Sequence, residues 1–174
     1  MRTSAHLLGT SAFLLLCACG GGQEQKADTA IAVAPPDSSA MSRDSAGAGT
    51  VNGEAEYVVC AACHQPNGAG LPGTYPPLAG SEIVNGDAAM PIAIILHGLT
   101  GEVTVKGQVY NQVMAPLGTT LNDQQIAAIL SYERRSWGNS APAVSAAEVA
   151  AVRAATSNRT GPWTIADLRS AKLR

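Results

Sequence analysis

The stretch Cys60-Ala61-Ala62-Cys63-His64 decides how this sequence is interpreted. The pattern C-x-x-C-H is the attachment signature of c-type haem. On one helical turn the two thiols lie on nearly the same face, where each can bond one haem vinyl group. His64 follows directly, so its imidazole can reach the iron. The motif therefore predicts one covalent haem c, held by Cys60 and Cys63, with His64 as an axial iron ligand.

Two other uses of the same cysteines compete with haem attachment. A zinc half-site needs two further ligands, and only His97 offers a nitrogen donor once the N-terminal segment with His6 is removed. A thioredoxin-like redox pair normally follows a strand in a βαβ unit, whereas a helix is predicted before Cys60. A redox-inert thiol or zinc module stays open as an alternative.

The composition excludes one class of partner and suggests how the core is filled. The chain has 174 residues, a net charge of −2, 4% aromatic residues and a single Phe. A nucleic-acid-binding protein normally shows a basic footprint, so no nucleic-acid partner is expected. With so few aromatic side chains, we expect the core to contain many Ala and Val residues or to be filled by a bound group.

The N-terminal third of the chain is predicted to serve targeting. Residues 1–18 contain a positive start and an apolar segment that is too short to span a bilayer comfortably, as in a signal peptide. Residues 19–50 are rich in Gly, Ala, Ser, Pro and Asp. Such a segment cannot bury enough apolar surface to offset its ordering entropy. We expect it to be a flexible tether.

The apolar segment ends in Leu16-Cys17-Ala18-Cys19. This ending resembles the lipobox of bacterial lipoproteins. The resemblance implies that Cys19 becomes the lipidated first residue of the mature chain, anchored on the periplasmic side of a membrane. Gly20 follows instead of Asp, which favours the outer membrane. An ordinary cleaved signal, leaving a soluble periplasmic protein, is the alternative.

Three stretches of residues 51–137 carry a family resemblance: 53–70 around the haem motif, Tyr75-Pro76-Pro77-Leu78-Ala79-Gly80, and 113–127 with Val113-Met114-Ala115-Pro116-Leu117. Through these stretches the chain resembles the class I mono-haem cytochromes c. Two departures from the family are an alanine between Met114 and Pro116, and Lys106 as the single lysine where a lysine-rich haem rim is common. The resemblance implies an all-α fold of helices wrapped around one covalent haem.

The sixth iron position has three candidate donors. Met114 lies ahead of a helix that Asn122 and Gln125 would begin as a capping box, and this is where the family's axial thioether sits. Met90 precedes an apolar run and is typical of core filling. His97 ends that run and is typical of a helix end or a surface. We expect Met114 to be the ligand, with His97 and Met90 as alternatives.

Further positions follow from the resemblance. In the family a proline carbonyl accepts the other ring N–H of the axial histidine, which fixes the ring and raises its basicity. Pro76 fits that place, and Pro77 is the fallback. Tyr57 and Tyr132 are expected on the first and last helices of the domain, as ordinary core residues.

Residues 138–174 form a predicted extension with short helices. Ser145 and Glu148 predict a capping box, and a second helix is expected from Thr164. The extension weakly resembles cytochrome domains that accompany quinoprotein dehydrogenases or copper nitrite reductases. Residues 51–133 carry seven acids and one lysine, whereas residues 134–174 carry seven bases and two acids. We expect the tail to pack against the domain, and charge-steered docking is the alternative.

The sequence as a whole predicts an exported electron carrier. Its cofactor would be haem c with its iron, and its partners would be periplasmic redox proteins acting as electron donor and acceptor. The protein itself would not be an enzyme, although it could serve a dehydrogenase, nitrite reductase or oxidase. The rival is a haem enzyme or gas-binding sensor with an open sixth position, and Met114 is the residue that argues against it.

Overall fold

The computed structural model describes residues 50–174. The predicted signal peptide, the lipidation site Cys19 and the tether up to residue 49 lie outside the described residues.

Seven helices and one hairpin form residues 50–174, and the predicted all-α fold is confirmed. The sheet is a small addition of two antiparallel strands that pair Val103 with Tyr110. The elements in chain order are α1 (Gly53–Glu56), α2 (Val58–His64), α3 (Glu82–Asn85), α4 (Ala89–His97), β1 (Val103–Val105), β2 (Gln108–Tyr110), α5 (Asp123–Glu133), α6 (Ala146–Ala155) and α7 (Ile165–Ser170).

The hairpin was not predicted from the sequence. Its turn is Lys106-Gly107, and both residues have positive φ angles of 50° and 76°. Two successive positive φ angles are the mark of the type I′ turn, which usually carries Asn-Gly or Asp-Gly. The strand β1 turns Val103 and Val105 inward and Thr104 outward. These two valines become part of the wall of the central cavity.

Helix α1 crosses α5 at a close contact that requires glycine. A Cβ atom at Gly53 would overlap the backbone of Ala128 and the Cβ of Tyr132. Beside this crossing Tyr57 is 3% exposed. Its ring lies 5.5 Å from that of Tyr132 and 5.0 Å from that of Trp137. The two tyrosines therefore pack in the core, as expected, with Trp137 as a third member of the cluster.

Capping boxes begin the last three helices. Asn122 with Gln125 begins α5, and Ser145 with Glu148 begins α6, which confirms both predictions. Thr164 with Asp167 begins α7 in the same way. In each box two backbone N–H groups that lack helical partners are satisfied reciprocally.

The C-terminal extension packs onto the domain. Helix α6 contacts α4 and α5, and Val149 and Val152 are fully buried there. Arg153 pairs with Asp123 at 2.7 Å and donates to the Gly118 carbonyl at 2.6 Å. This arrangement agrees with the expected packing of the basic tail against the acidic domain.

Candidate haem site

An apolar cavity lies between α2, α4, the hairpin and the end of α5. It comprises about 620 Å³ of empty space, counted together with its open mouth. Aliphatic and proline side chains dominate its wall, so a planar apolar group could be held there without exposure to water. The lining residues are Cys60, His64, Pro76, Pro77, Leu78, Ser81, Ile83, Val84, Pro91, Ile94, Ile95, Leu99, Val103, Val105, Met114, Leu130 and Glu133.

Helix α2 presents the cysteines and the histidine of the motif. Cys60 and Cys63 are half-buried free thiols on this helix, and Cys60 lines the cavity. Burial, with smaller contributions from Glu133 and Cys63, raises the pKa of Cys60 to about 12. The Cys60 thiol is therefore protonated at neutral pH. Within residues 50–174 no group of three or more metal-binding side chains lies together.

The ring of His64 is held by a backbone carbonyl. Its Nδ1 atom lies 2.9 Å from the Pro76 carbonyl oxygen. Because a carbonyl can only accept, Nδ1–H donates, and Nε2 is left with its lone pair free. Burial lowers the pKa of His64 against the opposing effect of the Pro76 hydrogen bond. A neutral imidazole with a fixed tautomer is the form that binds iron.

The loop that carries Pro76 packs tightly on the end of α2. The Gly70 N–H donates to the His64 carbonyl at 2.9 Å. A Cβ at Gly70 would overlap the carbonyl groups of Tyr75 and Pro76, and its φ angle of 65° also favours glycine. Gly70 therefore allows the Pro76 carbonyl to approach the histidine ring.

The backbone of Met114 is fixed by a two-way bridge to Leu99. The Met114 N–H donates to the Leu99 carbonyl at 2.9 Å, and the Leu99 N–H donates back at 3.0 Å. Met114 lines the cavity together with His64. The structure thus brings a thioether and a neutral imidazole to the same apolar space.

The two alternative donors lie elsewhere. The His97 Nε2 atom lies 2.8 Å from Thr156 Oγ1, and that hydroxyl donates to the Val152 carbonyl. The hydroxyl must therefore accept from His97 Nε2–H. Met90 lines an adjoining groove together with Asp87 and other polar residues. Neither residue lines the cavity that contains His64.

Asn139 braces the cavity wall, and its role was not found from the sequence. Its Oδ1 accepts from the Gly80 N–H at 2.8 Å and from Asn85 Nδ2 at 2.7 Å. Its Nδ2 donates to the carbonyls of Leu78 at 3.0 Å and Glu133 at 2.7 Å. The amide thus joins the loop after Pro76 to the end of α5, and all of its hydrogen-bonding capacity is used.

Arg134 is a second residue that sequence reasoning missed. It is 4% exposed, and its guanidinium donates to the carbonyls of Val84, Gly86 and Pro142 at 2.5, 3.1 and 2.7 Å. Burial lowers the pKa of Arg134, and the attraction of its charge to Glu148 and Asp87 opposes this shift. The side chain connects the end of α3, the end of α5 and the extension.

Glu133 is a third missed residue, and it faces the cavity. In the sequence Glu133 stands out only as one of the seven acidic residues of the domain. In the structure its side chain is buried, with 4% of its surface exposed. Burial raises the pKa of Glu133 to about 8. A signal for this position existed, because Glu133 follows Ile126, Ile129 and Leu130 at helical spacing on the apolar face of α5.

Comparison with known proteins assigns the family. The cytochrome c family model matches residues 50–137, and the chain belongs to this family of haem proteins. The predicted resemblance is therefore confirmed. Members of this family carry covalent haem c. Membership of the family therefore confirms the predicted cofactor, haem c with its iron.

Three relatives give the degree of similarity. Cytochrome c-552 of Thermus thermophilus is 45% identical over 87 residues, which are 48% of this chain and 66% of the relative. The cytochrome c subunit of alcohol dehydrogenase (quinone) from Gluconacetobacter polyoxogenes is 36% identical over 60% of this chain and 23% of its own length. The cytochrome c subunit of gluconate 2-dehydrogenase from Pantoea cypripedii is 38% identical over 54% and 22%. The matches therefore span less than two thirds of each relative.

The residues present fit a covalent haem. The cavity combines an apolar wall, a protonated thiol, a neutral imidazole with a free Nε2 and a thioether. Haem c supplies a one-electron Fe(III)/Fe(II) couple when it is bound. No helix within residues 50–174 has both the length and the apolar character needed to cross a membrane.

Proposed function

We propose that this protein is a mono-haem electron carrier that passes single electrons between redox proteins on the periplasmic side of a bacterial membrane. The observation that carries the proposal is the common cavity of Cys60, His64 and Met114. Two potential axial donors face one apolar space, while α2 supplies the attachment thiols. A site with both axial positions occupied by protein is suited to electron transfer, because no position is left open for a substrate.

We assign the covalent bonds to Cys60 and Cys63 and the axial positions to His64 and Met114. Each thiol would add across one haem vinyl group, with the sulfur and the hydrogen ending on its two carbons. His64 is held in the required tautomer by Pro76. The hydrogen bond keeps the imidazole oriented, so that the protein does not need to rearrange when the charge of the iron changes.

The proposed Met114 ligand also predicts the direction of the reduction potential. A thioether is a soft donor, and His/Met ligation raises the potential of haem relative to other ligand sets. The aliphatic wall acts in the same direction, because it disfavours the additional charge of the ferric state.

The direct test of the function is electrochemistry with a carbon monoxide control. A carrier should show one reversible one-electron couple, and its reduced form should not bind carbon monoxide at neutral pH. Ready carbon monoxide binding by the intact protein would instead indicate an open sixth position and would support a haem enzyme or gas sensor.

We further propose that redox proteins are the partners of this carrier. The names of two relatives identify them as cytochrome subunits of dehydrogenases, which supports a dehydrogenase as electron donor.

We also propose that Cys19 carries lipid and anchors the protein. Membrane fractionation should place the protein with membranes, and Cys19→Ser should release it or leave it unprocessed. A mature N-terminus without lipid, found by mass spectrometry, would leave a soluble periplasmic carrier.

A further inference from the structure

The side chain of Glu133 is buried beside the haem cavity. The residue is the last of α5 and lines the cavity with Cys60 and Leu130. Its backbone carbonyl accepts from Asn139, but among residues 50–174 no hydrogen bond or ion pair reaches its carboxylate. The neighbouring Arg134 directs its guanidinium to three backbone carbonyls. A carboxylate on a side chain that is only 4% exposed, with no partner among residues 50–174, favours its protonated form.

The titratable groups nearest to this carboxyl do not compete for its proton. Glu133 raises the pKa of both Tyr57 and Cys60, which places it close to α2. Tyr57 donates its hydroxyl hydrogen to the Gln65 carbonyl at 2.9 Å, and Tyr132 precedes Glu133 on α5. A Cys60 sulfur bonded to haem no longer ionises. Burial lowers the pKa of His64, and the hydrogen bond to Pro76 opposes this shift.

The helices packed against α5 bring no further charge to this position. Helices α1, α4 and α6 all contact α5, and Glu54 on α1 is exposed. Their other titratable side chains bond elsewhere: Glu56 to Gln125, His97 to Thr156, Glu148 to Ser145 and Arg153 to Asp123.

We propose that Glu133 is a redox-linked proton site. It takes up one proton when the iron is reduced and releases this proton when the iron is oxidised. This inference rests on the electron-transfer function proposed above. The electron comes from the redox partner to the ferric iron. The proton comes from solvent to a carboxylate oxygen of Glu133. The net charge inside the cavity is then the same before and after the transfer, and oxidation reverses both movements.

The physical reason is the low polarity of the cavity. Charges interact far more strongly in an apolar interior than in water. The ferric state has one positive charge more than the ferrous state, so it stabilises the Glu133 carboxylate, and the ferrous state favours the carboxylic acid. Burial alone raises the pKa of this carboxyl to about 8, which places its titration within reach of neutral pH.

The test is the midpoint potential of the purified haem protein across a pH range that brackets this titration. The potential should fall as pH rises, with a limit of about 59 mV per tenfold change in proton activity for one proton per electron. Glu133→Gln removes the titrating group at nearly constant shape and should flatten the profile. Glu54→Gln makes the same change at an exposed carboxylate of α1 and should keep the slope of the natural protein.

The outcomes separate this inference from the function on which it rests. An unchanged slope in Glu133→Gln would assign the proton to another group, such as a haem propionate, and would overturn the inference while the electron carrier stands. Failure to observe any reversible one-electron couple would overturn the proposed function and the inference with it.

A second measurement needs no variant. The reduced-minus-oxidised infrared spectrum of the natural protein should gain a carboxylic acid C=O band. That band should shift when the protein is made with ¹³C-labelled glutamate in a 5-aminolevulinate auxotroph fed unlabelled 5-aminolevulinate, because the haem propionates then stay unlabelled. Absence of a label-sensitive band would overturn the inference even if Glu133→Gln did not fold.

Discussion

The Nδ1 atom of His64 lies 2.9 Å from the carbonyl oxygen of Pro76, across 12 positions of the chain. This single hydrogen bond fixes which ring nitrogen is free, and the free Nε2 belongs to the residue that ends the C-x-x-C-H motif. Pro76 and Met114 both line the cavity. The orientation of the histidine and the position of the thioether are therefore determined by loops, while the helices supply the apolar wall.

Replacement of Met114 by Ala should lower the reduction potential and open the sixth position. The weak red-edge absorption band of thioether-bound ferric iron should disappear, and the reduced protein should bind carbon monoxide. His97→Ala is the control, because His97 bonds to Thr156 outside the cavity. A spectrum that changes with His97→Ala and not with Met114→Ala would make His97 the ligand.

Replacement of Gly70 by Ala should destabilise the protein far more than replacement of Gly73. Both glycines have left-handed φ angles of 65° and 73°, which cost a side-chain-bearing residue about 1–2 kcal/mol. Only at Gly70 would the new Cβ also overlap backbone, at Tyr75 and Pro76, whereas nothing lies within 4 Å at Gly73. Chemical denaturation of the two variants measures the difference, and equal losses would contradict the tight packing of this loop.

Replacement of Arg134 by Met should lower the free energy of unfolding by about 2–4 kcal/mol, because buried carbonyls lose their donor. The adjacent Arg135 is exposed, and Arg135→Met should change stability by less than about 0.5 kcal/mol. Thermal or urea unfolding of both variants provides the measurement. Similar effects for the two neighbours would mean that Arg134 does not hold α3 and the extension together.

Stability should decrease as pH rises between the unfolded and folded pKa values of Glu133. The unfolded pKa is about 4.3, and burial raises the folded pKa to about 8. In this window the folded state binds more protons, so its stability falls with pH, by up to about 1.4 kcal/mol per pH unit. Urea unfolding of the ferrous protein, whose iron does not add the positive charge that stabilises the carboxylate, should show this loss at several pH values, and Glu133→Gln should lack it.

Local patterns along the chain were sufficient to predict most helices. The capping boxes at Asn122 and Ser145 were visible as residue pairs three apart, and each begins a helix where expected. The hairpin was missed because its Lys106-Gly107 turn lacks the usual Asn or Asp. The hairpin is held by the burial of Val103 and Val105 in the wall of the cavity. This tertiary packing is not revealed by any local sequence pattern.

The orientation of side chains at the end of α5 was the hardest feature to predict. Glu133 and Arg134 are consecutive charged residues, and yet both are buried, one toward the cavity and one toward backbone carbonyls. Asn139 returns to this region only after Trp137 and Gly138 take left-handed φ angles of 54° and 84°. These contacts join segments distant in sequence, so they depend on the tertiary fold.

The central claim is that Cys60 and Cys63 hold one haem covalently. Mass spectrometry of the protein purified from a host that matures c-type cytochromes tests it most directly. The proteolytic peptide that contains both cysteines should carry the mass of one haem, and neither thiol should react with an alkylating reagent. The double variant Cys60→Ala, Cys63→Ala should yield no haem-bearing peptide. A natural protein whose two cysteines are alkylated and carry no haem would contradict the claim.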